Sequence, residues 1–329
     1  MKQLHDVLIV MFLSFALSLL CSAFIARFGH KLSLVDKPNE RSSHVLPTPR
    51  GGGIGIWLAF LVIGIFIAKD ILFIMIAGII GLIGFLEDRF NFSSKIRLVI
   101  QLVLSIVAII MVSGLPASVI ETFLFLFWII FITGTTNFYN FMDGINGIAG
   151  LTGVVGFGLM AYFSFFIVGE PDISIMCIAL ASACLGFLTF NFPYAKVFMG
   201  DVGSILLGFI FAAFVVKLST NISVFLCLIM FLSTFYADAT VTLIYRWRKG
   251  ENLMRAHRSH LYQYLSNELR LPHWQVATLF SITQFIFGIL ALLSFNKGLT
   301  WQLSVFGIFV IIFLTSYKVV KNIRPSEIH

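Results

Sequence analysis

Long segments without a formal charge run through the whole chain and decide its fold class. Residues 7–26 form one such segment of 20 positions, and residues 71–86 form another of 16. A helix needs ~20 mostly apolar residues to cross the hydrocarbon core of a bilayer. Because 59% of the 329 residues are hydrophobic and only 11% are charged, a soluble domain is excluded. The sequence predicts an all-α, polytopic integral membrane protein with a single membrane-embedded domain over residues 1–329.

These segments predict about eleven transmembrane helices. A Cys-Ser-Ala follows the first apolar run, as in a secretory signal peptide, but the length of the run favours a retained span. All four cysteines fall inside spans without ligand spacing, so free thiols are expected. The predicted spans lie at roughly 7–26, 51–68, 71–86, 98–115, 119–135, 147–168, 173–190, 204–217, 222–243, 275–294 and 299–317.

The charged residues are distributed unevenly across the predicted membrane. If the N-terminus lies outside, 18 of the 22 Lys and Arg residues fall in one set of connections. This bias follows the positive-inside rule and predicts an outside N-terminus and a cytoplasmic C-terminus. The net charge of +7 is then an effect of topology, with a secondary attraction to anionic membrane lipids, and nucleic acid is not a predicted partner. Nine of the 15 Asp and Glu residues also face the cytoplasm, so chemistry is expected on the inner loops.

The first inner loop, DKPNERSSHVLPTPRGGG at 36–53, is rich in proline and glycine and predicts an ordered turn region rather than a helix. Arg41, His44 and Arg50 in this loop can donate hydrogen bonds to an anion. The alternative is that the loop serves only as a positive-inside anchor.

The second inner loop, EDRFNFSSKIRL at 87–98, begins with two adjacent carboxylates and continues to Lys95 and Arg97. Glu87 and Asp88 repel each other at a membrane boundary unless a cation or a proton relieves them. The alternative is that they only end the helix and pair with Arg89.

The next two loops place further polar groups at the ends of apolar spans. In TNFYNFMDGING, Asn137, Asn140 and Asp143 recur every three residues and fall along one side of a helix, where hydrogen bonding between helices is the alternative role. In NFPYAKVFMGDVGS, glycines flank Asp201 and allow close backbone approach, although Asp201 could also be an ordinary helix N-cap.

The fifth inner loop, RWRKGENLMRAHRSHLYQ at 246–263, is the most basic of the set. Its His257, Arg258 and His260 suit contacts to phosphate or nucleotide. Carboxylates that converge with these cations in a partly dry site need a divalent cation, and Mg²⁺ typically uses one or two carboxylates plus substrate phosphate oxygens. A phosphate-bearing substrate handled with Mg²⁺, or alternatively Mn²⁺, is therefore the hypothesis from the residues.

Five motifs in this order resemble one enzyme family. PTPRGGG, EDRFNFSSKIRL, NFYNFMDGINGIAG, FMGDVGS and HRSHLYQ are similar to those of the polyprenyl-phosphate N-acetylhexosamine-1-phosphate transferases, the WecA/MraY superfamily, over residues 35–263. The branch that starts bacterial O-antigen or other surface-polysaccharide synthesis is the most similar. The resemblance implies transfer of a sugar-1-phosphate from a UDP-N-acetylhexosamine to undecaprenyl phosphate, with release of UMP, at the bacterial cytoplasmic membrane.

The resemblance also implies roles for individual residues. Asp201 is the expected Mg²⁺ ligand, with Asp88 as an alternative second ligand, and Glu87, Asp88, Asp143 and Asp201 form the expected catalytic set. The chain departs from the family in having Glu-Asp where Asp-Asp is usual, and Tyr262 and Gln263 where further histidines are common. The resemblance places Arg97, Asn140, His257, Arg258 and His260 in contact with phosphate or nucleotide. Together with Arg41, His44, Arg50 and Lys95, noted above in the first two inner loops, they are the expected substrate-binding residues.

Two other functions remain open from the sequence. Within the family, the alternative is the phospho-N-acetylmuramoyl-pentapeptide transferase of peptidoglycan synthesis. Outside it, the alternative is a lipid or sugar transporter or flippase, for which only Asp238 offers a charged group inside a span. The identity of the amino sugar is not encoded in any local motif, and a homodimer is one option for the oligomeric state.

Overall fold

Apolar helices make up nearly the whole molecule in the computed structural model, which describes residues 2–38, 43–67, 70–90, 92–252 and 258–323. A two-residue pair of antiparallel strands, β1 (Val35–Asp36) and β2 (Thr48–Pro49), is formed in the first loop. The helices are α1 (Lys2–Phe28), α2 (Ile54–Ile67), α3 (Ile71–Phe90), α4 (Ser94–Ser113), α5 (Val119–Phe141), α6 (Ile148–Phe163), α7 (Pro171–Asn191), α8 (Asp201–Leu218), α9 (Ile222–Ile229), α10 (Ser233–Arg248), α11 (Leu261–Gln263), α12 (His273–Phe295) and α13 (Leu299–Asn322).

Three short segments extend these helices without breaking the chain direction. A π-helical turn at Ser164–Val168 prolongs α6, and another at Tyr264–Glu268 prolongs α11. A 3₁₀ turn at Met230–Leu232 joins α9 to α10, so the two helices form one continuous span, Ile222–Arg248.

Within the described residues, ten helical segments are long and apolar enough to cross a membrane. The one remaining predicted span, 51–68, corresponds to α2, whose apolar stretch Ile54–Phe66 is shorter than the others. The start of α2 and the end of α3 contact the same segment. Gly53, just before α2, donates its backbone N–H to Met199 O at 2.8 Å. Asp88, near the end of α3, accepts the backbone N–H of Asp201 at 3.0 Å. The α2–α3 hairpin therefore leaves and returns to one end of the bundle. The protein is an all-α, multi-pass membrane protein.

The core is organised around α8. In this helix 89% of the 18 residues are buried, and it packs against α3 and α5. The outer helices α4 and α13 keep most of their apolar side chains on the surface, as helices that contact lipid do. The N-terminus of α8 therefore lies at the centre of one end of the bundle.

The loop after α1 is fixed against the segment that leads into α8. Phe198 donates its N–H to Pro49 O at 2.8 Å, and Gly52 donates to Phe198 O at 2.9 Å. The prediction of an ordered turn region is confirmed for the described residues 43–53, which contain no helix. We call the end of the bundle formed by residues 43–53, 87–97, 140–147, 191–204 and 258–268 the motif face.

Candidate active site

The site is built around the first turn of α8. Asp201 is the first helical residue, and Gly200 precedes it with a positive φ of 76° that favours glycine. A side chain at position 200 would also overlap the Asp88 carboxylate and the backbone nitrogen of Gly51. Glycine at this position is thus required by both the backbone conformation and the close approach of α3.

Asp88 supplies the cap of α8 from a different helix. Its Oδ1 accepts the backbone N–H of Asp201 at 3.0 Å, and its Oδ2 accepts that of Val202 at 3.1 Å. These N–H groups have no partner within the helix, and the positive end of the helix dipole favours a carboxylate there. The interpretation of Asp201 as an ordinary N-cap is wrong, because the capping group is Asp88.

The carboxylate of Asp201 is consequently directed to other side chains. Asn140 on α5 donates its Nδ2 hydrogen atoms to Asp201 Oδ1 at 2.5 Å and to Ser204 Oγ at 3.0 Å. Arg97 Nη1 lies 3.6 Å from Asp201 Oδ2. Asn140 thus fixes Oδ1, whereas the Arg97 contact to Oδ2 is longer than a hydrogen bond, so Oδ2 can accept a further electropositive partner.

Arg97 also links Glu87, the first member of the acidic pair, to Asp201 at the centre of the site. Its Nη1 donates to Glu87 Oε1 at 2.7 Å. Arg89, in contrast, donates to the backbone oxygen of Leu32 at 2.6 Å. The alternative in which Glu87 and Asp88 pair with Arg89 is therefore wrong, and the pairing cation for Glu87 is Arg97.

A polar cavity of ≈ 260 Å³ opens beside these residues at the motif face. Four carboxylates line it, those of Asp36, Asp88, Asp143 and Asp201, whereas Arg50 is its one arginine among the described residues. Arg50 Nε lies 3.9 Å from Asp88 Oδ1. The remaining polar lining comes from Ser43, His44, Asn140, Asn146, Asn191, Gln263 and His273. The predicted convergence of Asp88, Asp143 and Asp201 on one site is thus seen in the geometry.

Asp143 is the least compensated of these carboxylates. It lies just past the end of α5, and in the described part of the chain no group donates a hydrogen bond to its side chain. Burial raises the pKa of Asp143 well above its usual range, and the neighbouring charges of Asp201 and Asp88 raise it further. A ligand that donates a hydrogen bond or carries positive charge would therefore be favoured at this wall.

The three residues predicted along one side of α5 have different partners. Asn137 donates to Gln101 Oε1 at 2.6 Å and to Thr133 O at 2.8 Å. For Asn137 the alternative of hydrogen bonding between helices is therefore confirmed, while Asn140 and Asp143 line the cavity.

The basic loop is divided between the surface and the interior. Arg258 is exposed and lies 3.8 Å from Glu268, measured from Nη2 to Oε1, whereas His260 is buried with its Nδ1 3.4 Å from Asp238 Oδ1. Neither residue lines the cavity, but Gln263 does. Lys95 is exposed on the first turn of α4. Arg41 and His257 lie outside the described residues.

Sequence reasoning missed several residues of the cavity wall. Asn146 and Asn191 stand inside motifs that were recognised, and their polar side chains next to Gly or Pro steps were a usable signal. Gln263 was noted only as a departure from the family pattern. His273 begins α12 after a Leu-Pro step and carries no local signal, because only the packing of α12 brings it to the cavity.

The carboxylates of the cavity are the candidate ligands for a divalent metal. No three His, Cys, Asp or Glu side chains within the described ranges are close enough to hold a metal ion among themselves. Mg²⁺ requires fewer protein ligands, since it usually binds through one or two carboxylates and completes its octahedron with water and phosphate oxygens. Asp201 Oδ2 meets that need, whereas both oxygens of Asp88 already accept hydrogen bonds from α8.

Fold and site together define a class: a multi-pass helical membrane protein with an acidic and amide-lined cavity at one end of its bundle. The profile of glycosyl transferase family 4 matches residues 71–219 of this chain. That match includes the acidic pair, the α5 motif and the start of α8. This match and the motifs support the polyprenyl-phosphate N-acetylhexosamine-1-phosphate transferase family that the sequence resembles.

Curated relatives agree with this assignment. A probable undecaprenyl-phosphate N-acetylglucosaminyl 1-phosphate transferase of Bacillus subtilis is 29% identical over 94% of this chain and 90% of the relative. The undecaprenyl-phosphate alpha-N-acetylglucosaminyl 1-phosphate transferase of Escherichia coli O157:H7 is 30% identical over 56% of this chain and 55% of the relative. The Thermotoga maritima protein of the same name is 29% identical over 58% and 60%. The chain thus spans little more than half the length of the last two relatives.

Proposed function

We propose that the protein transfers an N-acetylhexosamine-1-phosphate from a UDP-sugar to undecaprenyl phosphate and releases UMP. The observation that carries the proposal is the imbalance of the cavity, where four carboxylates stand against one arginine among the described lining residues. An anionic diphosphate enters such a cavity only together with a cation. The names of the curated relatives supply the substrate class, since each acts on undecaprenyl phosphate with an N-acetylglucosaminyl 1-phosphate group.

Mg²⁺ is the proposed cation, held by the Asp201 carboxylate. When bound, it would polarise the diphosphate and neutralise charge on the departing UMP. Asn140 fixes the orientation of the Asp201 carboxylate through its hydrogen bond to Oδ1. Arg97 and Arg50 add positive charge at two sides of the same region, where a transferring phosphoryl group needs it.

An apolar groove supports a polyprenyl acceptor. A groove of ≈ 560 Å³ lies between α5, the α9–α10 span and α13, and its lining includes Phe131, Phe138, Tyr236 and Phe309. Phe138 and Asn140 lie two residues apart on α5, so the groove reaches the same level of the bundle as the site, on the other side of this helix. A lipid chain in this groove would gain about 0.8 kcal/mol per buried methylene relative to water, with its phosphate at the motif face.

The arrangement favours direct attack of the lipid phosphate oxygen on the β-phosphorus of the UDP-sugar. A phosphate monoester has a second pKa of ~6, so most of the acceptor is already dianionic at neutral pH. Both carboxylate oxygens of Asp88 accept hydrogen bonds from backbone N–H groups of α8, which suits a positioning role better than proton removal. An aspartyl-phosphate intermediate is therefore not part of the proposal.

Topology and pathway belong to the same proposal. We place the motif face in the cytoplasm of a bacterium, at its inner membrane, with eleven spans in one domain and the N-terminus outside. The excess of Lys and Arg in the connections at this end supports that orientation. The enzyme would then start a surface polysaccharide such as O-antigen.

The test uses purified protein with undecaprenyl phosphate and a panel of UDP-sugars, including the peptidoglycan precursor, with UMP release as the readout. We expect release with at least one UDP-N-acetylhexosamine, abolition by EDTA and restoration by Mg²⁺. Asp201→Asn preserves the acceptor for Asn140 and should lower the rate by about 10²–10³-fold. Asp70→Asn, at the opposite end of the bundle, is the matched control and should retain activity. Absence of UMP release with every sugar would refute the function, and full activity of Asp201→Asn would refute the metal assignment.

A further inference from the structure

Asp238 is a fully buried carboxylate on α10 that the proposed chemistry does not use. Its Oδ1 accepts the backbone N–H of Leu261 at 2.8 Å and the hydroxyl of Thr242 at 3.1 Å, and its Oδ2 accepts the N–H of Tyr262 at 3.1 Å. A buried carboxylate without donors would cost several kcal/mol. These hydrogen bonds offset that cost, so the group is bound to the chain rather than left for a ligand.

The two backbone donors belong to the segment 258–268, which follows the basic loop. His260 Nδ1 lies 3.4 Å from the same Oδ1 atom, so the segment meets Asp238 at three successive residues. The arrangement repeats the one at the other side of the cavity, where Asp88 accepts the N–H groups of Asp201 and Val202. In both places a carboxylate from one helix caps the start of another helical segment.

The capped segment forms part of the cavity wall. Tyr262 donates its hydroxyl to Phe141 O at 2.8 Å, at the end of α5. Gly144 lies directly under that hydroxyl, and any side chain at position 144 would overlap it. Gln263, the next residue, lines the cavity together with Asp143 and Gly144. The position of this wall therefore depends on where the segment is held.

From these contacts we infer that Asp238 is a positioning residue for the donor substrate. From inside the membrane body it holds the segment 258–268 against the loop 142–147 and so fixes the wall that the nucleotide part of the UDP-sugar would contact. Only the kinetic part of the test below rests on the proposed function. Asp238 is not among the residues that line the apolar groove, and its hydrogen-bond partners are Thr242, Leu261 and Tyr262 rather than Asp201. Binding of the acceptor and the chemical step should therefore be spared.

The test compares Asp238→Ala and Asp238→Asn with wild type and with Asp70→Asn, which weakens a capping carboxylate at the opposite end of the bundle. In Asp238→Ala the KM for the UDP-sugar should rise at least tenfold, equivalent to ~1.4 kcal/mol. Its kcat and its KM for undecaprenyl phosphate should stay within about threefold, which is ~0.7 kcal/mol. Asp238→Asn keeps one acceptor oxygen and should lie between wild type and Asp238→Ala. A fall in kcat with both KM values unchanged would mean that Asp238 only supports folding, and it would overturn the inference.

Hydrogen exchange of the backbone amides gives an arm that does not depend on activity. The amides of Leu261 and Tyr262 should exchange faster in Asp238→Ala than in wild type. Those of Asp201 and Val202, which Asp88 caps, should exchange at the wild-type rate and serve as the internal control. If the Leu261 and Tyr262 amides keep their protection, the inference fails even where the enzyme is active. If the wild type releases no UMP, the proposed function fails, and the exchange data still decide whether Asp238 holds the segment 258–268 in place.

Discussion

Removal of the Asp88 carboxylate should destabilise the start of α8 by an amount that the structure allows us to work out. Asp88 is 2% exposed and accepts two backbone N–H groups, at 3.0 and 3.1 Å. Each hydrogen bond to a charged group contributes about 1.5–3 kcal/mol, and a buried N–H left without a partner loses about that much. The variant no longer has to desolvate a carboxylate, which offsets part of the loss. We expect Asp88→Ala to lower the free energy of unfolding by roughly 3 kcal/mol.

Asp88→Asn offers a graded comparison. It keeps one acceptor oxygen and turns an amide donor toward the second N–H, so it should lose one hydrogen bond, about 1.5 kcal/mol. Asp70→Ala is the matched control, because Asp70 Oδ1 caps α3 through the single N–H of Phe73 at 3.1 Å. Its cap is partly exposed, and its loss should cost about 0.5–1 kcal/mol.

The assay is reversible unfolding in mixed detergent micelles, followed by tryptophan fluorescence. The expected order of stability is wild type, Asp70→Ala, Asp88→Asn and Asp88→Ala. If Asp88→Ala unfolds at the same free energy as Asp70→Ala, the carboxylate is not the cap of α8 and would be free to remove a proton. The pH profile of UMP release by Asp88→Asn adds a second check: a rate that recovers as pH rises indicates that ionisation of the lipid phosphate limits the reaction.

Two further predictions concern the cavity and the groove. Because the folded-state pKa of Asp143 is raised, the folded protein binds more protons than the unfolded chain, and stability falls as pH rises from the unfolded pKa toward the folded one. Asp143→Asn lacks this dependence. In EDTA, the unfolding midpoint of Asp143→Asn relative to that of wild type should therefore rise as the pH is raised above about 4. A difference between the two midpoints that is constant at all pH values would contradict the raised pKa. Gly134 lines the apolar groove and has open space beside it, so Gly134→Trp should raise the KM for undecaprenyl phosphate and leave that for the UDP-sugar unchanged, with Gly158→Trp on another surface as control.

The helical spans and the meeting of the inner loops follow from the sequence because they depend on local composition. A run such as 71–86 has no charge to place in lipid, and a loop with three prolines cannot continue a helix. The α2 segment shows where that reasoning is weaker. Its apolar helix Ile54–Phe66 is shorter than the predicted 51–68, because Gly52 and Gly53 pair with the backbone of residues 198 and 199 instead.

Partners of individual side chains could not be predicted in the same way. Asp88 bonds to backbone N–H groups that lie 113 and 114 residues further along the chain, and those donors carry no side-chain signature. His260 belongs to a basic motif typical of phosphate contacts, but its ring lies beside the buried Asp238. Tertiary packing determines the partners of both side chains, whereas the sequence shows only that each residue belongs to a motif.

The cap on α8 has a consequence for how phosphate can be bound at the site. In many phosphate sites the free N–H groups of a helix N-terminus bind the anion directly. Here Asp88 accepts two of those groups, and Gly200 O accepts the N–H groups of Gly203 and Ser204 at 3.2 and 3.1 Å. The start of α8 thus presents the Asp201 carboxylate rather than free donors. Under the proposed function, binding of a diphosphate would then require a cation at that carboxylate together with Arg97 and Arg50, so donor binding would be coupled to metal binding.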